Sequence, residues 1–121
     1  MLYDRKLDLD VIGRKMHQAA DLMEQGWCQG TRILIEWADN GWSKNGIKYC
    51  AIGAIGKVLG NCADPYFLDN TNPEFLEIKR RIMKYLKPPG PREFHVWIWN
   101  DAEATTQEQV VEVFRESAYL K

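Results

Sequence analysis

Between Thr71 and Pro91 the chain writes out one helix together with both of its ends. Asn72 stands ready as N-cap with Pro73 at the first helical position, and Thr71 lies three residues before Glu74 at capping-box spacing. Phe75, Ile78, Ile82 and Leu86 recur on one face. Lys87-Pro88-Pro89-Gly90-Pro91 then forbids continuation and reads as a stiff, extended connector inside the domain. A single amphipathic helix cannot bury its own stripe, so the rest of the chain must supply the core for it.

At 121 residues the chain can bury roughly two-thirds of its unfolded surface around one core and is too short for two ordinary domains. We expect one globular domain over residues 1–121. The other core-facing segments are legible. Ile12, Met16, Ala19 and Met23 fall at helical spacing after Asp8 and Asp10, with Gly26 as a C-terminal stop. Thr31–Trp37 is rich in β-branched and aromatic residues, and the turn signals Asp39-Asn40-Gly41 and Asn45-Gly46 follow before Ile47-Lys48-Tyr49, which predicts a hairpin. Cys50–Leu59 is small and apolar and predicts a short buried helix, against the cost of its glycines. Phe94–Trp99 alternates weakly and is aromatic-rich, which predicts a strand or extended segment. Thr105 with Glu108 predicts the start of a last helix carrying Val110, Val111, Phe114 and Ala118. The fold class expected is α+β: compact, mostly helical with about four helices, and a small antiparallel hairpin or sheet.

Charge narrows the function classes. Sixteen Lys+Arg against 17 Asp+Glu leave a net charge of -1, so no global positive field draws the chain to phosphate backbones, and nucleic-acid binding is not expected. The charged start Asp4-Arg5-Lys6 does not read as a signal peptide, and Val96-Trp97-Ile98-Trp99 is too short to span a bilayer, so a soluble, cytoplasmic protein with no membrane partner is expected. Cys28, Cys50 and Cys62 are odd in number and lack metal-ligand spacing, and only His17 and His95 could join them. Reduced thiols, no metal and no cofactor are expected.

Four groups of residues invite a functional reading. Cys50 heads a predicted helix, where a thiol's pKa is lowered, and His95 with Asn100 or Asp101 follows in the order of a papain-like nucleophile, base and orienting residue. Against this, Tyr49, Ala51 and Ile52 flank the thiol with apolar surface, which favours a buried, inert cysteine. Gly53, Gly56 and Gly60 fit neither a phosphate loop nor a dinucleotide fingerprint; their spacing marks one helical face that another element can approach closely. Lys79, Arg80, Arg81, Lys84, Lys87 and Arg92 form a basic stretch without an acid, either a solvated face opposite the acidic last helix or a phosphate-binding or acidic-partner patch built on Arg80, Arg81, Lys84 and Lys87. Among five tryptophans, Trp97 and Trp99 would share one face of a strand, and Trp42 would sit at a hairpin tip with little core to reach, so Trp42, Trp97 and Trp99 are the candidate partner contacts.

Three separated pieces, Gly26-Trp27-Cys28-Gln29-Gly30, Tyr49-Cys50-Ala51-Ile52-Gly53-Ala54 and Trp99-Asn100-Asp101 with Thr105 and its helix, together resemble a family of small uncharacterised proteins of bacterial and bacteriophage genomes. The resemblance covers most of the chain; the long hairpin at 31–47 and the basic helix with its proline connector at 73–91 depart from it. It implies a shared core and a phage or mobile-element setting, and it transfers no catalytic residue. The expected function is therefore a non-enzymatic interaction module with a protein partner, a phage-encoded modulator of a host protein. The alternatives are a small-molecule or nucleotide-binding protein and a cysteine-dependent hydrolase using Cys50 and His95.

Overall fold

In the computed structural model, which describes residues 8–31, 33–37, 44–60, 72–87 and 95–121, the first helix is the axle of the fold. This helix, α1 (Val11–Gln25), starts where Asp10 turns its side chain onto the Gly13 N–H at 2.8 Å, a capping bond for a donor the helix itself cannot satisfy. Met16, Ala19, Ala20 and Met23 are buried along it. A hairpin of β1 (Ile33–Trp37) and β2 (Lys44–Tyr49) follows, then α2 (Ala51–Val58), α3 (Pro73–Leu86), α4 (Val96–Asp101) and α5 (Gln107–Ser117). Helix α1 packs against α2, α3, α5 and β2, while α4 packs on α2. Phe75, Ile78, Ile82, Val110, Phe114 and Ile55 close the core around it. The fold is α+β and mostly helical, and no helix of the described residues is long and apolar enough to cross a membrane.

Two glycines permit close approaches along α1. A Cβ on Gly13 would lie 2.8 Å from the Ala118 carbonyl oxygen at the end of α5, and one on Gly26 would lie 2.9 Å from the Ile47 carbonyl oxygen in β2. Gly26 is thus more than a helix stop. Its carbonyl accepts the Tyr49 N–H at 2.9 Å and the Cys28 N–H bonds the Tyr49 carbonyl at 3.3 Å, so residues 26–28 run alongside β2 in a parallel bridge.

Local chemistry holds at most of the expected ends. Asn72 caps α3 by accepting from the Glu74 and Phe75 N–H groups, with Pro73 at the start, and Lys87 ends it in the left-handed region. The antiparallel pair runs Ile33 with Tyr49 and Ile35 with Ile47, and the second strand begins at Lys44, earlier than Ile47. Helix α2 packs on α1 with Gly53 and Gly56 buried, whereas Gly60 does not belong to that face: it is exposed past the end of the helix, where φ 115° makes it a turn glycine.

Two expectations are corrected. Within the segment expected as a strand, Val96–Trp99 belongs to a helix, Val96–Asp101, because Val96 and Asn100, four apart, are the residues that face inward, and a four-residue alternation of bulky side chains satisfies either period until burial chooses; Phe94 lies outside the described residues. Consequently Trp97 and Trp99 do not share a face. The capping box of α5 is Thr106 with Gln109, one residue later than Thr105 with Glu108, since the Thr105 N–H already bonds the Ala102 carbonyl and closes the preceding turn. Trp42, Cys62, Thr71, Pro88–Pro91 and Arg92 lie outside the described residues, and with them the hairpin tip, the Thr71 half of the capping box and the proline connector.

Candidate functional site

The buried side chain of Asn100 joins three remote stretches of chain. Its Oδ1 accepts the Trp27 indole N–H at 2.7 Å and the Ala51 backbone N–H at 2.9 Å, and its Nδ2 donates to the Cys28 carbonyl at 3.1 Å and to Asp101 Oδ1 at 2.9 Å. An asparagine amide has two donors and an acceptor oxygen with two lone pairs, so every bond it can make is made. Around it, Gln29 Nε2 donates to the carbonyls of Asn100 and Ala102 at 2.9 and 3.0 Å, and Asp101 Oδ1 accepts the Gly30 N–H at 3.0 Å. Helix α4, only six residues long, gains from this clamp the position its own hydrogen bonds could not secure.

The two described cysteines border the clamp and are buried. Cys50 precedes α2 as its N-cap, with Sγ accepting the Gly53 N–H at 3.4 Å. Cys28 donates to the Thr31 carbonyl at 3.4 Å, and burial, reinforced by Cys50 and Asp101, pushes its thiol up to about 11, so it is protonated at neutral pH. Of the hydrolase candidates, the fold brings Asn100 onto the residue after Cys50, whereas His95 sits at the other end of α4 as its N-cap, its ring 6.2 Å from that of Trp97. Among the described residues no group of three or more His, Cys, Asp or Glu could hold a metal ion.

The outer side of α4 carries Trp97 and Ile98, 48% and 49% exposed. Trp99 turns the other way, partly buried against the core, and lines a hollow of about 400 Å³ with Tyr85, Leu86, Thr105, Gln109 and Val113.

The basic stretch does not form one patch. Arg81 is 3% exposed and belongs to the interior: its Nη1 and Nη2 grip Asp10 at 2.9 and 2.6 Å, its Nε bonds Glu77 at 2.6 Å, and Nη1 also bonds the Ala118 carbonyl at 3.0 Å. This node ties the start of α1, the middle of α3 and the end of α5. The Arg81 guanidinium holds the Asp10 carboxyl well below the usual carboxylate range, and Arg80 with Arg81 brings Glu77 down to about 2. Arg80 is paired with Glu77 on the surface, leaving Lys84 and Lys87 as exposed cations at the end of α3. The acidic last helix packs against α3, with Glu112 beside Tyr85 and Leu86 in one hollow, while its Arg115 bonds Asp21 and Glu24 of α1. Trp27, Gln29 and Asn100 stand in motifs the sequence offers, but nothing in those motifs says that they meet; Arg81 carries no local signal, since a buried arginine in a basic run looks like its neighbours until the acids that meet it, 71 residues away for Asp10, are placed.

Taken together, the described chain is a small helical domain with one appended hairpin, pinned by an asparagine clamp at one end of α1 and an arginine node at the other. A family profile matches residues 12–120, and the chain belongs to that family, DUF6197, a family of unknown function. No curated protein and no solved structure matches it.

Proposed function

We propose that the chain is a non-enzymatic interaction module that acts in the cytoplasm on a protein partner and uses the outer face of α4 as its contact surface. The observation that carries this reading is the pair Trp97 and Ile98, half exposed and adjacent on a helix whose position is set by the Asn100 clamp. A large aromatic held rigidly at the surface loses little freedom on binding, which is the character of an interface anchor. The partner surface that fits such a pair is an apolar pocket. The narrower reading, a phage-encoded modulator of a host protein, rests on the resemblance of the three motifs alone.

The test compares the wild-type chain with Trp97→Ala on a capture matrix exposed to cell lysate. A partner retained at stoichiometric yield by the wild type should bind roughly 30-fold more weakly to Trp97→Ala, while the thermal unfolding midpoint stays put. Equal capture by both forms, or no protein captured and a small molecule co-purifying, overturns it.

The hollow beside Trp99 supports a second reading, a small ring-bearing ligand such as a nucleotide's base set against Trp99 and Tyr85, with Glu112 the one charged residue in the lining. Tryptophan fluorescence titrated with common nucleotides separates the two readings, since only the second gives saturable quenching that Trp99→Leu removes.

A further inference from the structure

We infer that two copies of this chain associate through β1, edge to edge and antiparallel about a two-fold axis at Ile35, to form one four-stranded sheet. The inference is independent of the α4 surface.

It starts from the direction of the backbone groups. Tyr49 of β2 gives its N–H and C=O to Gly26 and Cys28, on the side away from β1. Backbone groups alternate along a strand, so Lys48 faces Leu34 as a hydrogen-bonded pair, while Ile33 and Ile35, opposite Tyr49 and Ile47, turn their N–H and C=O outward. Strand β2 is therefore flanked on both sides and β1, among the described residues, on one side only.

That free edge lacks the usual protections. Proteins guard edge strands with lysine, proline or a bulge. Strand β1 reads Ile33-Leu34-Ile35-Glu36-Trp37, with one charge and no proline, and the register shift places the extra residue, Asn45, on β2, so β1 runs without a bulge. Ile33, Ile35 and Ile47 share one face and are all exposed. A two-stranded ribbon with such a face is marginal in water, and further strands stabilise it.

The occupant is a second copy because the edge is complementary to itself. Centred on Ile35, antiparallel pairing sets Ile35 against its own symmetry mate and Ile33 against Trp37 of the second copy, and these are the residues whose backbone groups point outward. Glu36 then falls opposite Leu34, so no two carboxylates meet across the axis. Because Ile35 already opposes Ile47 within the hairpin, one row across the joined sheet reads Ile47, Ile35, Ile35, Ile47, a continuous apolar strip built from side chains that are exposed in the single chain.

Sedimentation velocity on the full chain, from about 1 to about 100 µM, tests this; the wild type should shift from monomer to dimer within that range. Ile35→Pro removes one outward N–H that the hairpin does not use, a substitution an edge strand tolerates, and should leave a folded monomer across the range. To guard against misfolding of that variant, Ile35→Cys and Val11→Cys are treated with a short bismaleimide: Ile35→Cys should cross-link to a dimer, and Val11→Cys, exposed on α1, should not. A wild type that stays monomeric at about 100 µM, a dimer that survives Ile35→Pro in a folded chain, or cross-linking at position 11 in preference to 35 overturns the inference.

Discussion

The Asn100 clamp and the hairpin are neighbours, both anchored on residues 26–28, yet they treat polar groups in opposite ways. In the clamp, an indole, two backbone groups and a carboxylate converge on one buried amide and nothing is left over. In the hairpin, Ile33 and Ile35 of β1 have exposed apolar side chains and turn their backbone groups away from β2, where they meet no partner among the described residues. The lesson is that the stable frame and the available surface of this small domain are separate. Leaving a buried polar group unpaired costs about 1–3 kcal/mol, so the clamp is difficult to alter, whereas an exposed edge can wait for a partner at little cost.

The largest test removes the clamp. Asn100→Ala strands the Trp27 N–H, the Ala51 N–H and the Cys28 carbonyl, and we expect a loss of about 3 kcal/mol or more in urea unfolding, with α4 the first helix to lose amide protection in hydrogen exchange. A loss below about 1 kcal/mol would show that α4 is held by packing alone and would break the contrast with the hairpin.

At the far end of α1 the Arg81 node repeats the logic with charges. Asp10 and Glu77 both titrate below the ordinary carboxylate range when folded, so their contribution is complete above about pH 4 and falls away as the pH drops through about 2 for Glu77 and lower still for Asp10. Asp10→Asn should therefore cost about 2 kcal/mol at neutral pH, a figure reduced for the partial exposure of Asp10 and for the Glu77 bond that Arg81 keeps, and should flatten the decline of stability with acid. Urea midpoints measured from pH 7 to pH 2 check this; parallel curves for the two proteins would remove the node from the account.

The smallest effect lies at the joint between the two regions. Gly26→Ala would force a Cβ to 2.9 Å from the Ile47 carbonyl, and β2 must shift to admit it. We expect a cost of about 1–2 kcal/mol, with the Tyr49 amide exchanging faster while the Ala51 amide in the clamp stays protected. Equal deprotection of both amides would mean that hairpin and clamp move as one unit.

How far these regions were legible follows from the range of the forces involved. Chemistry confined to a few residues is readable: Asn72-Pro73 opens α3, Asp10 heads α1, and the helical spacing of Met16, Ala19 and Met23 names the buried face. The same local signals fail where two readings fit equally. Val96-Trp97-Ile98-Trp99 satisfies a strand as well as a helix, and helix wins because Asn100, one turn beyond Val96, finds its partners only when Trp27, Cys28 and Ala51 are already in place. Arg81 shows the same limit. Within its basic run nothing separates it from Arg80, and its burial follows from Asp10 and Ala118 arriving at the same point from two other helices.

Sequence alone determined the fold class, the ends of α1 and α3, and the burial of Gly53 and Gly56 in α2, because caps, prolines and the 3.6-residue period act between near neighbours. Tertiary structure alone decided that α4 is a helix, that Trp97 faces outward while Trp99 faces inward, that Arg81 is structural, and that β2, flanked by β1 and by residues 26–28, is the inner strand of the hairpin. Each of those depends on which remote groups reach a buried hydrogen-bonding atom or a strand's open side, and separations of some seventy residues leave no trace in local pattern.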